Sequence, residues 1–318
     1  MKKVSIIGAG QLGSRHLQGL KTAQTEMEIW VIDASEESLK VAKERCEAVE
    51  SKTTKTVHYS QKIDALPQNL DLVIIATGSK PRAAIIKALL NHATVNYLVL
   101  EKFLFTRLQD YDEIEFLLKE KGAKCWVNCP RRMWPSYEAI KKYINQDKPV
   151  CFEYAGQNWG MCCNSIHLLD IWMYLAGDAK IDVDLSEIEP QIIESKRPGY
   201  IELLGKETFR SSNDDYLSLT CFSEYNGDIN VMITNDGNKI SLNESTGVWT
   251  LNEGEEHQNK TPFQSGLTGV VADEILTSGE CQLTPYSMSA QYHKPYLHAV
   301  IQFVNKLQGY DSDSCPIT

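Results

Sequence analysis

Residues 4–13 read Val4-Ser5-Ile6-Ile7-Gly8-Ala9-Gly10-Gln11-Leu12-Gly13, an apolar β-branched run that breaks into GxGxxG and continues as the helix-like Ser14-Arg15-His16-Leu17-Gln18-Gly19-Leu20. In a dinucleotide-binding βαβ unit the first glycine makes the tight turn, the second lets the backbone approach a pyrophosphate, and the third lets the helix lie close to the strand. The phosphates then meet unpaired amides at the helix N-terminus. Glycine-rich turns are common, so the next strand decides the reading. Glu28-Ile29-Trp30-Val31-Ile32-Asp33 is a second apolar strand, and Asp33 at its carboxyl end is placed to accept both adenosine ribose hydroxyls. That carboxylate repels a 2′-phosphate, and no arginine follows within Ala34-Ser35-Glu36-Glu37-Ser38. The expected cofactor is therefore NAD rather than NADP, held by Gly8, Gly10, Gln11, Leu12, Gly13 and Asp33.

Outward from this fingerprint the pattern alternates between strand and helix. Strand 4–7 is followed by a helix near 14–22, strand 28–33, a helix near 36–45 and a short strand at about 57–59. Leu72-Val73-Ile74-Ile75-Ala76 is apolar without alternation, as expected for a strand covered on both faces. It ends at Thr77-Gly78, the edge where doubly wound sheets bind ligands, which adds Ala76, Thr77 and Gly78 to the cofactor candidates. A helix from Pro81 to Leu90, strand 97–100, a helix over 108–121 and strand 124–128 complete a first domain spanning residues 1–128.

Residues 129–318 change style to alternating segments such as Cys151-Phe152-Glu153-Tyr154, Leu217-Ser218-Leu219-Thr220-Cys221-Phe222 and Ile229-Asn230-Val231-Met232-Ile233-Thr234. Alternation predicts one packed face and one wet face, hence an open, mainly antiparallel sheet in an α+β domain. Asn226-Gly227 and Asp236-Gly237 read as hairpin turns. Residues 161–177 form a helix closed by Gly177, with Cys163, His167, Asp170 and Tyr174 on one face. Residues 286–308 read as a helix pair broken at Pro295, with Tyr296, Val300, Phe303, Val304 and Leu307 as core contacts, and the last helix has room to pack back on the first domain.

The chain has 318 residues, 42% of them hydrophobic, which suits about two domains with a sizeable core. Its net charge of -10 argues against nucleic acid or an anionic membrane surface and leaves a small molecule as the expected partner. Met1-Lys2-Lys3 leads straight into a strand, so a cytoplasmic location is expected. Nine scattered cysteines fit reduced thiols; Cys125 with Cys129 and the vicinal Cys162-Cys163 lack the CxxC spacing of structural zinc, and no metal is expected.

Outside the glycine loop, chemistry is available at Glu101-Lys102, at Arg131-Arg132 and at His167. Alone, each is more often a solvated or core group than a catalyst. Together with GAGQLGSRH (8–16), ATGSKPRAAIIKALL (76–90), EKFLFTRLQDYDEIEFLL (101–118), RRMWP (131–135) and HLLDIWMYLAG (167–177), they make the chain resemble the Gfo/Idh/MocA oxidoreductases, the glucose-fructose oxidoreductase, inositol dehydrogenase and MocA-like family, over most of its length.

The resemblance implies an NAD-dependent oxidoreductase acting on a secondary hydroxyl or ketone of a sugar, cyclitol or nucleotide sugar. It also implies pairing into homodimers or homotetramers, and a place in sugar metabolism or surface-polysaccharide precursor synthesis. Lys102 matches the lysine of a Glu-Lys-Pro motif and His167 a histidine on the second-domain helix, the two that flank the reacting hydroxyl in that family. Histidine has the pKa to take a hydroxyl proton near neutrality, and a lysine ammonium stabilises the charge developing on oxygen. Glu101 is expected to orient the nicotinamide side of the cleft, Asp170 to orient the helix or imidazole, and His16 to be structural. Arg132, Trp159, Cys163 and Asn164 join Lys102 and His167 as substrate-binding candidates: Arg132 for a phosphate or carboxylate, Trp159 as a stacking platform. The chain departs from the family in two places: Phe103 replaces the motif's proline, and Cys163 stands where many sugar dehydrogenases carry an aspartate. The second departure favours a competing reading, a regulator of the same fold that binds the dinucleotide or a sugar without turnover.

Overall fold

The strands expected in the first domain pair in parallel in a computed structural model of the chain, which describes every residue except Asp178, Asn226, Asp228 and Ile229. They are β1 (Lys2–Ile7), β2 (Met27–Ile32), β3 (Lys55–Ser60), β4 (Asn69–Ile75), β5 (Thr94–Glu101) and β6 (Lys124–Asn128), connected in part by α1 (Gln11–Thr22), α2 (Glu36–Glu47), α3 (Ser79–His92) and α4 (Leu108–Lys121). The strand order is β3-β2-β1-β4-β5-β6, so the connections reverse direction between β1 and β4, where a doubly wound sheet opens its ligand crevice. Val73, Ile74 and Ile75 are buried, as a strand covered on both faces requires. Ser35 caps α2 by accepting the Ser38 N–H at 3.2 Å, with Glu36 and Glu37 in the first turn against the helix dipole.

The alternating segments form a second sheet. Chain order there is α5 (Pro135–Lys141), β7 (Cys151–Gln157), α6 (Met161–Ala176), β8 (Ile181–Ile188), β9 (Ile193–Glu194), β10 (Ile201–Glu202), β11 (Gly205–Ser211), β12 (Tyr216–Phe222), β13 (Val231–Asn235), β14 (Asn238–Asn243), β15 (Val248–Leu251) and β16 (Glu256–Gln258). Eight of these strands align as β16-β15-β14-β13-β7-β12-β11-β8, antiparallel apart from the parallel pair β7 and β12, while β9 and β10 make a separate two-stranded ribbon. Phe152, Phe209, Leu217, Leu219, Val231, Ile233, Ile240 and Leu242 are buried between more accessible neighbours, the one-faced pattern anticipated for an open sheet. The turn at Asp236-Gly237 is present: Asn235 pairs with Asn238, and both loop residues have positive φ, 48° and 83°, as a two-residue I′ hairpin requires. The turn expected at Asn226-Gly227 includes Asn226, which lies outside the described residues.

The chain closes with α7 (Gln264–Ser278), β17 (Thr284–Pro285) and α8 (Tyr286–Gln308). Contacts divide it into one compact unit of Met1–Phe105, Gln109–Pro130 and Pro262–Ser287, and another of Thr106–Leu108, Arg131–Thr261 and Met288–Thr318. Pro262–Ser287, placed with the second domain by a linear division at 128/129, thus belongs to the first unit, where β17 adds to the edge of β6 and α7 packs on α1. The expected helix pair at 286–308 is instead one helix running through Pro295. Tyr292, His293, Tyr296 and Leu297 are all buried around the proline, so packing on both sides outweighs the hydrogen bond it deletes. Tyr296, Val300 and Val304 are core contacts, whereas Leu307 is 38% exposed. Among the described residues no helix is long and apolar enough to cross a membrane.

Candidate cofactor and substrate sites

The glycine loop is set by two close approaches. Gly8 has φ 98°, and a Cβ on Gly13 would fall 1.7 Å from the Gly8 carbonyl oxygen. Gly10 differs: among the described residues, its own chain neighbours aside, nothing lies within 4 Å of the place its Cβ would take. Packing therefore does not demand glycine there, and the open space before α1 is where a pyrophosphate would approach. Gly10 is the N-cap of α1, with no side-chain cap and no acidic residue in the first turn, so its amides are left for an anion. Gln11 and Leu12 open that helix, Gln11 exposed and Leu12 half-buried.

Asp33 follows β2 and bridges two loops. Its Oδ2 accepts the Ala9 N–H at 2.6 Å and its Oδ1 the Ser35 N–H at 2.8 Å. Each carboxylate oxygen has a second lone pair, which suits two ribose hydroxyls. Across the sheet the Ala76 N–H donates to the Ile7 carbonyl at 2.8 Å, and Gly78 is an N-cap for α3 without a side-chain cap. Between them Thr77 Oγ1 is buried with no hydrogen-bond partner among the described residues. These features fit a bound dinucleotide.

At the end of β5, Glu101 is 3% exposed and accepts from Asn128 Nδ2 at 2.5 Å and His16 Nε2 at 2.8 Å, while His16 Nδ1 meets Thr268 Oγ1 at 2.9 Å. Burial alone would raise the Glu101 carboxyl, but the His16 contact, the Asn128 hydrogen bond and the nearby Arg82 charge hold it below the usual range. His16 is thus structural, and Glu101 anchors the end of the strand that leads into Lys102, which is buried too. The Lys102–Phe103 peptide is cis, although residue 103 is not proline. Arg82, unmarked in the sequence reading, is 1% exposed and donates to the carbonyls of Leu104 at 2.8 Å, Phe103 and Thr77. It ties the loop after β5 to the turn after β4.

In the second unit, Trp159 and Gly160 lead into α6. Trp159 Nε1 donates to the Thr220 carbonyl at 2.9 Å, and its ring stands edge-on to Tyr154 with centroids 5.1 Å apart. Asn164 Nδ2 donates to the carbonyls of Trp159 at 2.7 Å and Gly160 at 3.2 Å, which ties its amide group to the two residues that lead into α6. Trp159, Cys163 and Asn164 line one cavity of about 500 Å³. His167 lies one turn further along α6, half-buried, and does not line that cavity.

Arg132 is placed differently from the substrate-anion expectation. Its fork grips the fully buried Asp170, Nε to Oδ2 at 3.0 Å and Nη2 to Oδ1 at 3.1 Å, and Tyr292 donates to the same carboxylate. Arg131 is bound in the same way by Glu244, at 2.6 and 2.9 Å. Each guanidinium is matched in two parallel hydrogen bonds to a carboxylate of the fold, which compensates its charge. Asp170 therefore holds α6 through Arg132 and Tyr292.

Beneath α6 lies a buried carboxyl that no expectation named. Glu207 accepts from Ser165 Oγ at 2.6 Å and Tyr296 Oη at 2.8 Å. Burial, with the Glu202 charge nearby, raises it to about 7 against the pull of those hydrogen bonds. The folded state then keeps a proton that the unfolded chain releases near the ordinary glutamate value. The resulting contribution is absent in acid, grows unfavourable as pH rises from the ordinary value to about 7, and is constant above. Glu207→Gln is expected to flatten that decline, with a gain of about 3 kcal/mol at pH 8 from a shift of this size. Denaturant unfolding of both proteins from pH 4 to 8 measures it; parallel curves would contradict it.

A reversing parallel sheet, an open glycine loop and an acidic second-strand end define a dinucleotide-binding Rossmann domain of the oxidoreductase type. Residues 2–129 match the model of the Gfo/Idh/MocA family, described as an oxidoreductase family with an NAD-binding Rossmann fold, so the amino-terminal domain is of that family's type. No curated protein sequence matches the chain. Among solved structures it is similar to UDP-N-acetylglucosamine 3-dehydrogenase from Acidithiobacillus ferrooxidans, at 13% identity and TM-score 0.73, covering 96% of this chain and 98% of that one. Biliverdin reductase from Synechocystis, in complex with biliverdin and NADP+, shares 15% identity and TM-score 0.71 over 95% of this chain and 98% of that one. An oxidoreductase from Agrobacterium radiobacter, in complex with NAD+, L-tartaric acid and magnesium, shares 15% identity and TM-score 0.69 over 94% of each. At such identities the likeness is one of fold.

Proposed function

We propose that the protein is an NAD-dependent oxidoreductase that transfers hydride between nicotinamide and a secondary hydroxyl or ketone of a sugar, cyclitol or nucleotide sugar. The observation that carries this reading is Gly10 open at the N-terminus of α1 with Asp33 bound across the same loop. Gly8, Gly10, Gln11, Leu12 and Gly13 would cradle the pyrophosphate, Asp33 the adenosine ribose, and Ala76, Thr77, Gly78 and the Glu101-Lys102 edge the nicotinamide half. Bound there, the dinucleotide would supply the hydride acceptor or donor.

His167 Nε2 or Nδ1 takes the substrate's hydroxyl proton during oxidation and returns it during reduction. Lys102 Nζ donates a hydrogen bond to the same oxygen and stabilises its developing charge. Glu101, fixed by His16 and Asn128, and Arg82, fixed on Phe103 and Leu104, hold the backbone on both sides of Lys102. Residues 1–128 serve the cofactor in this account and residues 129–318 the substrate and assembly into a homodimer or homotetramer.

The cofactor assignment is tested by fluorescence titration. The protein is expected to bind NADH at least about tenfold tighter than NADPH, since a carboxylate facing a 2′-phosphate repels it, and Asp33→Ala is expected to remove most of that preference. Tighter NADPH binding by the unsubstituted protein would overturn it.

A further inference from the structure

The cavity at the entry to α6 has a composition that selects among the substrates just proposed, and the inference below rests on that reading of α6. Its walls include Trp159, Cys163, Lys196, Arg197 and Glu202. Arg131 and Arg132 pair with Glu244 and Asp170 and do not line this cavity; the cations on its wall are Lys196 and Arg197, in the loop between β9 and β10. Both are exposed, and neither forms an ion pair among the described residues. Arg197 Nη1 spends one donor on Thr318 Oγ1 at 3.1 Å, which leaves the rest of its fork.

The other walls suit a polyhydroxylated ring. Glu202 is 7% exposed, accepts the Cys162 N–H at 2.7 Å, and presents a buried carboxylate acceptor of the kind that takes ring hydroxyls. Trp159 contributes an aromatic surface for an apolar sugar face. Glu194 is the other acidic residue on the cavity, and it is exposed. Cys163 brings a thiol to the wall where a carboxylate would have added a negative charge.

We propose that this cavity binds a sugar or cyclitol carrying an anionic substituent, a carboxylate or a phosphate, with the anion on Lys196 and Arg197 and the ring hydroxyls on Glu202. Arginine's planar fork pairs with either anion, so the two sources share one chemistry.

Isothermal titration of the full chain without cofactor, against matched sets of neutral sugar, corresponding uronate and corresponding 6-phosphate, tests this. In at least one set an anionic member is expected to bind about tenfold or more tightly than its neutral counterpart, and the Lys196→Gln, Arg197→Gln double variant is expected to close that gap. Preference for the uronate or the phosphate then tells the two anions apart. Equal binding of neutral and anionic members in every set overturns the proposal, as does a gap that survives in the double variant. The comparison within the unsubstituted protein stands even if the variant folds poorly. A parallel NADH titration separates this from the oxidoreductase reading. Anion selectivity without dinucleotide binding would sink that reading alone, and dinucleotide turnover of neutral sugars with no anion selectivity would sink this one alone.

Discussion

Gly13→Ala is expected to unfold the amino-terminal unit or to destabilise it by about 4 kcal/mol or more, the range reached when a substitution forces backbone apart. The added methyl group would fall 1.7 Å from the Gly8 carbonyl oxygen. That oxygen belongs to the turn that makes the site, and Gly8 itself is fixed at φ 98° against Ala76 and Thr77. The clash cannot be relieved by a rotamer, so α1 must leave β1. Gly10→Ala is the matched control, because its methyl group meets no described residue within 4 Å beyond its own chain neighbours. It is expected to leave the melting temperature within a few degrees while weakening NADH binding. Thermal melts and NADH fluorescence of both variants decide the matter. Equal melting of Gly13→Ala and the unsubstituted protein would refute the packing argument, and undiminished NADH binding by Gly10→Ala would refute the approach argument.

His167→Ala is expected to lower kcat on the protein's substrate by about 10²–10⁴, the usual worth of a positioned acid-base group, with NADH affinity unchanged. Lys102→Ala is expected to lose a comparable factor through the uncompensated oxygen charge. The two should combine less than additively if they act on one oxygen. The pH dependence supplies a second reading: the limb of the oxidation profile that belongs to the base should disappear in His167→Ala. Steady-state kinetics of both single variants and the double variant measure this. Turnover unchanged by both single substitutions would remove these residues from the mechanism.

The amino-terminal half was legible because its information is local. Ile6-Ile7-Gly8 to Gly13 and the Asp33 strand end each carry their meaning within a few residues, and β1, β2, β4 and β5 fall where apolar runs place them. The α6 helix was equally plain, with Gly177 at its end and Cys163, His167 and Tyr174 on its more accessible face. What the sequence concealed depends on contacts far apart in the chain. Arg82 looks like an ordinary residue after Pro81, and only the fold brings it to the Phe103 and Leu104 carbonyls. Arg132 and Asp170 are 38 positions apart, so the ion pair that joins them has no local signal. Pro295 reads as a break because local rules count its missing N–H, while the burial of Tyr292, His293, Tyr296 and Leu297 that carries α8 through it is tertiary. Pro262–Ser287 returns to the first unit for the same reason: no linear boundary records a segment that packs on α1.

Hydride transfer is read by reduced-nicotinamide absorbance with NAD or NADP over a panel of pyranoses, cyclitols, sugar acids and nucleotide sugars, with His167→Ala alongside. NADH is expected to form from NAD with at least one member of the panel, and its formation to be abolished in the variant. No NADH with any member, from a protein that still binds NAD, would contradict it and would identify instead a sensor that kept the Rossmann site without turnover.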